Sequence, residues 1–258
     1  MQTIQVTHKE EYAIVQMNRP KANAINQLMV QEIRETFARL EKDDTVRGVI
    51  ITGIPNFFSA GLDLIELYQY DEAQIRAFFI AFGSMHIELV QFTKPLIAAI
   101  TGYSPAGGTV IAVACDYRIM AAGDNYTIGL NEVAVNIQIS RNLIDAYSFW
   151  LGESLAYQYI LEGKLLDGEE ALAAGLVQEL RPLDKVLTRA EYKMQELLSA
   201  NQDILCNTKK KLRKNWLANI GNDSEEDLEQ AIKVWWDPAV RAQMKMFITM
   251  LTSKKKKS

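Results

Sequence analysis

Residues 94–116 read KPLIAAITGYSPAGGTVIAVACD, and the order of their parts decides the fold. The short apolar run at 94–100 predicts a buried strand. Residues 102–108 hold three glycines and a proline and predict a loop. From Thr109 the apolar run continues and predicts a helix. Glycines ahead of a helix start present bare backbone N–H groups that suit an anionic oxygen. Yet Thr109 and Val110, just inside the run, carry no acid, base or metal ligand. A catalytic loop here must take its ionisable group from elsewhere in the chain.

Outward from this unit the pattern repeats in type, though not in residue identity. Residues 13–17 (AIVQM) form a β-type run stopped by Asn18, Arg19 and Pro20. Residues 27–42 place Leu28, Ile33, Phe37 and Leu40 near helical spacing, with charges between them. A β-branched run at 46–52 (VRGVIIT) predicts a strand, 53–61 a loop, and 71–92 a helix. Further strands are predicted at 117–121 and 125–129, then a helix from about Arg141. Strands separated by helices indicate an α/β protein. Beyond Asp167 the pattern is mostly helical: a helix at 169–174 that Gly175 stops, a strand at 176–180, and helices over 183–215 and 224–251. With no Gly/Ser/Pro linker, the division is a core over 1–198 and a helical C-terminal section over 199–258, ending in a Lys-rich tail. Trp235 and Trp236 in that section suit packing or subunit contacts.

With 258 residues the chain can bury a core without disulfides or metals. Lys and Arg number 28 against 32 Asp and Glu, a net charge of −4, which argues against nucleic acid as the main partner. The exceptions are the tail Lys254–Lys257 and a basic cluster of Lys209, Lys210, Lys211, Arg213 and Lys214. Two cysteines, Cys115 and Cys206, suit a reducing compartment rather than a disulfide framework. The first residues lack a basic n-region followed by an apolar stretch, and no apolar run reaches membrane-spanning length. The expectation is a cytoplasmic protein with no membrane partner. No Cys/His spacing predicts a metal site, and His8 and His86 read as structural or exposed.

Three glycine-bearing loops follow strands: FFSAGLDL at 57–64, PAGG at 105–108 and GLNEV at 129–133. Together with NRPKANA at 18–24, CDYRI at 115–119 and YTIGLNE at 126–132, they resemble the crotonase (enoyl-CoA hydratase/isomerase) superfamily over nearly the whole chain. Within it they are most similar to the mitochondrial-type 3,2-trans-enoyl-CoA isomerase branch, also called dodecenoyl-CoA isomerase. The resemblance implies an α/β fold, a crotonase (ClpP-like) spiral of ββα units. Its C-terminal helices would pack between subunits of a homotrimer or a dimer of trimers. It also implies an acyl-CoA substrate, with CoA as the acyl carrier and no separate cofactor or metal.

The resemblance further assigns an oxyanion hole to the backbone N–H groups of Leu62 and Gly107. Preorganised amides suit a thioester whose carbonyl oxygen gains charge as an α-hydrogen leaves. The helix from Thr109 would add its positive end. Hydratases of the superfamily carry two glutamates, which fall here at Val110 and Glu132. Valine cannot orient water or move a proton, so Glu132 stands alone. One carboxylate suits a 1,3-proton shift from C2 to C4 of a 3-enoyl thioester. Such a base should be partly desolvated, with Phe57, Phe58, Leu130, Val133 and Ile137 as its expected apolar surroundings. Asn131 would orient the carboxylate. Lys21, Ala22, Ala24, Ala60, Gly61, Asp63, Leu64 and Gly108 are expected along the CoA path, with Asp63 ordering its loop. Lys21 and the basic C-terminal helix would meet the CoA phosphates. Two other readings stay open: decarboxylation of a β-carboxy-acyl thioester, and a non-catalytic crotonase-like protein that binds RNA.

Overall fold

The computed structural model describes residues 1–219 and 225–254. The tail at 255–257 and the side chain of Lys254 lie outside the described residues. A six-stranded sheet runs in the order β1 (Ile4–His8), β2 (Tyr12–Met17), β3 (Gly48–Thr52), β5 (Leu96–Ile100), β7 (Tyr117–Ala121), β9 (Glu179–Arg181). Only β1 and β2 pair antiparallel; every later pair is parallel. Parallel neighbours need crossovers, and helices supply most of them. They are α1 (Gln27–Lys42), α2 (Leu64–Leu67), α3 (Glu72–Gln91), α4 (Gly107–Val113), α5 (Arg141–Glu162) and α6 (Gly168–Ala173). Each return adds the next strand beside the last, so the chain climbs as a spiral. β3 and β5 are fully buried, as strands covered on both faces must be.

Two of the three strands of a second sheet were not legible as strands. β4 (Asn56–Phe57), β6 (Gly102–Pro105) and β8 (Ile128–Gly129) pair in parallel, in that order. Residues 53–61 and 102–108 were expected as loops. Two- and four-residue strands carry no alternation to read, and Gly102 and Pro105 mimic turn signals. Their pairing partners lie on other turns of the spiral. The expected helix from Thr109 also starts earlier, at Gly107, and spans only seven residues. The strand expected at 125–129 shrinks to its last two residues, and the one at 176–180 moves to Glu179–Arg181.

The C-terminal helices are α7 (Leu183–Leu198), α8 (Gln202–Leu212), α9 (Lys214–Asn219), α10 (Glu225–Trp236) and α11 (Pro238–Lys254). α7 closes one face of the large sheet through Val186, Ala190, Met194 and Leu198. Trp216 and Trp235 bury α9 and α10 against the core, and Trp235 meets Phe79 edge-on at 5.5 Å.

Candidate active site

β4, β6 and β8 run side by side in the same direction, so their C-terminal ends release three loops at one place. In parallel α/β sheets that edge is where ligands bind. The loops carry Ala60–Leu62, Ala106–Gly107 and Leu130–Glu132.

The first loop is pinned to the segment after β2. Ile25 N–H donates to Gly61 C=O at 2.8 Å, and Asp63 N–H donates to Ile25 C=O at 2.8 Å. That bridge uses the groups on one edge of the 61–63 backbone. The Leu62 N–H points to the other edge and has no backbone acceptor among the described residues. Gly61 sits at φ +82°, and a methyl group there would press on Ala106 Cβ and Pro105 C=O at 3.3 Å. A methyl group at Gly107 would meet Gly61 Cα at 3.4 Å and Ile25 Cδ1 at 3.0 Å. Position 61 therefore needs glycine, Gly107 accepts a methyl group only if the Ile25 side chain gives way, and the two loops touch backbone to backbone. Gly107 opens α4, so its N–H has no carbonyl one turn back within the helix.

Thr109 ties the second loop to the third. Its hydroxyl donates to Ser104 C=O at 2.6 Å and accepts the Gly129 N–H at 2.8 Å. Ala106 N–H adds a bond to Gly129 C=O at 2.9 Å. Glu132 follows, its own carbonyl accepting Val135 and Ile137 N–H in a tight turn. Glu132 is 6% exposed, and its Oε2 is buried with no hydrogen-bond partner among the described residues. Desolvation pushes its pKa up to about 7, because burial disfavours the charged form.

The loops open into a cavity of about 1460 Å³. Lys21, Ala22, Ala24, Ala60, Leu62, Asp63, Leu64, Gly107, Asn131 and Glu132 line it, with Ile137, Asn142 and Leu143. An apolar branch runs between α3, α10 and α11, walled by Phe79, Phe82, Ile87, Leu228, Val234 and Trp235. Five carboxylates reach the described lining: Asp63, Glu66, Glu132, Glu225 and Asp227. Asp63 and Glu66 are paired with Arg19 at 2.7 and 3.1 Å, and Glu225 and Asp227 are exposed. Glu132 is the one buried carboxylate among them.

The sequence model for enoyl-CoA hydratase/isomerase matches residues 7–257. The chain belongs to that family. It is 33% identical over 244 residues to the mitochondrial enoyl-CoA delta isomerase 1 of Rattus norvegicus, covering 94% of this chain and 84% of the relative. It is 31% identical over 196 residues to the 2,3-dehydroadipyl-CoA hydratase of Escherichia coli, covering 76% and 74%. The crystal structure of human mitochondrial delta3-delta2-enoyl-CoA isomerase superimposes with a TM-score of 0.93 at 28% identity, covering 98% of this chain and 100% of that one. The chain is thus an enzyme of the hydratase/isomerase family, with the family's mixed α/β fold.

Within this family member, two residues expected on the CoA path do not line the cavity. Gly61 turns the loop behind Leu62. Gly108 packs on the Ser59 carbonyl, where a methyl group would come within 2.9 Å. Of the apolar residues expected around Glu132, Ile137 lines the cavity. Phe58 and Leu130 lie in the core, Val133 is exposed, and Phe57 stacks on Tyr103 at 5.4 Å. Asp63 orders its loop: it caps α2 by accepting the Glu66 N–H at 3.1 Å and pairs with Arg19.

Several site-building residues escaped the sequence reading. Half-buried Arg19, inside the NRPKANA run, and buried Thr109, at the helix start, were given no tying role there. His86 lines the cavity while its Nδ1 bonds the Val110 carbonyl at 3.0 Å, and burial pushes its pKa down to about 4. Val110 itself is buried in the core. The basic cluster is not a nucleic-acid face at its two key members. Lys209 Nζ binds Asp116 and the Lys94 carbonyl, both at 2.7 Å, and Arg213 binds Asp116 at 2.8 Å while buried. Both charges are turned inward, fastening α8 and α9 to the core.

Proposed function

We infer that this enzyme converts 3-cis- or 3-trans-enoyl-CoA to 2-trans-enoyl-CoA by a 1,3-proton shift on a single glutamate. The observation that carries the reading is Glu132, alone as a buried carboxylate in the described lining and shifted toward neutral pH. The thioester oxygen would sit between the Leu62 and Gly107 N–H groups. Glu132 takes the proton from C2; the electron pair delocalises through C3–C4 and onto the thioester oxygen as a dienolate. The same carboxyl then returns the proton to C4, and the double bond ends at C2–C3. Base and acid are one group, so no external proton donor is needed. Losing one amide donor in such a hole typically costs on the order of 100- to 1000-fold in rate.

Val110 supports isomerase over hydratase. At the position where the hydratase pattern carries a second glutamate, a buried valine offers no group to activate water. The apolar branch suits an uncharged acyl chain better than a β-carboxy one. The inward-facing Lys209 and Arg213 remove the main support for an RNA-binding reading. A homotrimer or a dimer of trimers fits the apolar side chains left exposed on α5 and α11, among them Tyr157, Leu161, Met246 and Met250.

The test is a substrate panel: 3-enoyl-CoA isomerisation, 2-enoyl-CoA hydration and decarboxylation of a β-carboxy-acyl-CoA, assayed side by side. Isomerisation should exceed the other two by at least about 100-fold in kcat/KM, roughly what one missing catalytic carboxylate removes from general acid–base catalysis. Hydration or decarboxylation as the faster reaction would overturn the assignment.

A further inference from the structure

Tyr147 on α5 is fully buried, yet its hydroxyl makes no hydrogen bond of normal geometry. A phenol has one proton to donate and lone pairs with which to accept. Its oxygen lies beside the Leu130 backbone amide, which addresses a lone pair and leaves the proton unspent. Leu130 stands two residues before Glu132. α5 also packs on the turn at 133–135 that follows Glu132. Leu143, one helical turn before Tyr147 on the same face of α5, lines the cavity. Across this junction Glu132 Oε2 is buried without a partner, and the Tyr147 hydroxyl feels the Glu132 charge. An unmade hydrogen bond in a buried site costs about 1–3 kcal/mol for each group left bare. Here one unspent donor and one unspent acceptor lie at the same junction, and their chemistry is complementary.

We propose that Tyr147 is a positioning residue for Glu132: its hydroxyl donates to the ionised carboxylate through one bridging water and holds it aimed at C2. The proposal rests on the single-glutamate reading above and adds what steadies that glutamate. Burial favours the protonated form of Glu132, whereas a donor to the ionised form works the other way. The two together set how much base is available at neutral pH.

Glu153 and Tyr157 on α5 are exposed, and Glu162 accepts the Gln158 side-chain amide at 3.0 Å. On α5, Arg141 pairs with Asp145 at 2.8 Å, and burial is the main reason the Tyr147 hydroxyl is pushed well above the usual phenol range and does not ionise near neutral pH. Tyr159, also on α5, faces Lys164, which pairs with Glu170. From α3, His86 stays neutral down to about 4. Glu225 and Asp227 approach from α10 but are exposed. Within the cavity lining this leaves Glu132 as the buried group that titrates near neutrality.

The experiment compares pH profiles of kcat/KM for 3-enoyl-CoA isomerisation in wild type, Tyr147→Phe and Glu132→Gln. Tyr147→Phe keeps the ring and removes the donor. Its acid limb should move up by about one pH unit, roughly a tenfold loss below the limb, with the alkaline plateau retained. A packing role would change the rate by one factor at every pH. If Glu132→Gln retains activity, the single-glutamate reading fails. If Glu132→Gln is inactive and the Tyr147→Phe limb has not moved, only the Tyr147 proposal is overturned. Should Tyr147→Phe not fold, 3-fluorotyrosine incorporated at position 147 supplies a more acidic, stronger donor. The limb should then move down, and an unmoved limb overturns the proposal.

Discussion

The Thr109 hydroxyl accepts the Gly129 N–H at 2.8 Å while donating to the Ser104 carbonyl at 2.6 Å. One side chain thus fixes the spacing between the loop that offers the Gly107 amide and the loop that carries Glu132. Misplacing catalytic groups by about 1 Å can cost on the order of 100-fold. Thr109→Val, which keeps the shape and removes the hydroxyl, should lower kcat by about 10- to 100-fold and leave buried Gly129 N–H unsatisfied. Thr109→Ser should restore most of the activity. Steady-state kinetics on both variants checks this, and equal losses in the two would contradict it.

Gly61 is held at φ +82° against the Pro105–Gly107 backbone. Gly61→Ala imposes a left-handed conformation costing about 1–2 kcal/mol and presses a methyl group on Ala106. The Leu62 N–H should swing off its aim, lowering kcat/KM by about 100-fold. Urea unfolding and kinetics on the same preparation read both effects.

Glu132 also links stability to pH. Its folded pKa of about 7 lies above the ordinary carboxyl value of 4.5. Between these values the folded chain holds a proton that the unfolded chain has lost. Its contribution to stability is therefore fully present below about 4.5 and lost as pH rises through 7, a total of about 3 kcal/mol. Glu132→Gln should be more stable than wild type above pH 7, with the difference vanishing toward pH 4.5. Urea titrations at pH 5 and pH 8 measure it; a pH-independent difference would contradict the assignment.

Arg213 is buried against Asp116 and the carbonyls of Val90 and Ala114. Arg213→Met leaves those acceptors short of a donor and should destabilise the fold by about 3–5 kcal/mol. Where the variant remains folded, its KM for 3-enoyl-CoA should stay near wild type. A large rise in KM without loss of stability would place Arg213 in substrate binding instead.

What the sequence revealed follows from where the information lies. α1 was legible residue for residue because its apolar stripe is local and Asn26 caps it by accepting the Met29 N–H. α3 was legible likewise, with Asp71 and Gln74 forming a capping box. β4 and β6 were not, since strands of two and four residues exist only through pairing with other turns of the spiral. The candidate site shows the same division. The motifs pointed to Leu62, Gly107 and Glu132, and the absence of a second glutamate at Val110 is written in the sequence. The inward turn of Lys209 and Arg213, the Arg19–Asp63 pair and the Thr109 tie depend on which face of an element meets a distant one. Local spacing carries no such record.

In the proposed reaction one carboxylate, Glu132, moves the proton both ways. This is tested most directly by assaying Glu132→Gln for 3-enoyl-CoA isomerisation at saturating substrate, with acyl-CoA binding measured on the same protein. The fold should be unchanged, binding should stay within a few-fold of wild type, and kcat should fall by at least about 1000-fold, within the roughly 100- to 10,000-fold range of general acid–base catalysis. A folded Glu132→Gln enzyme that isomerises at close to the wild-type rate would contradict the proposed proton shift.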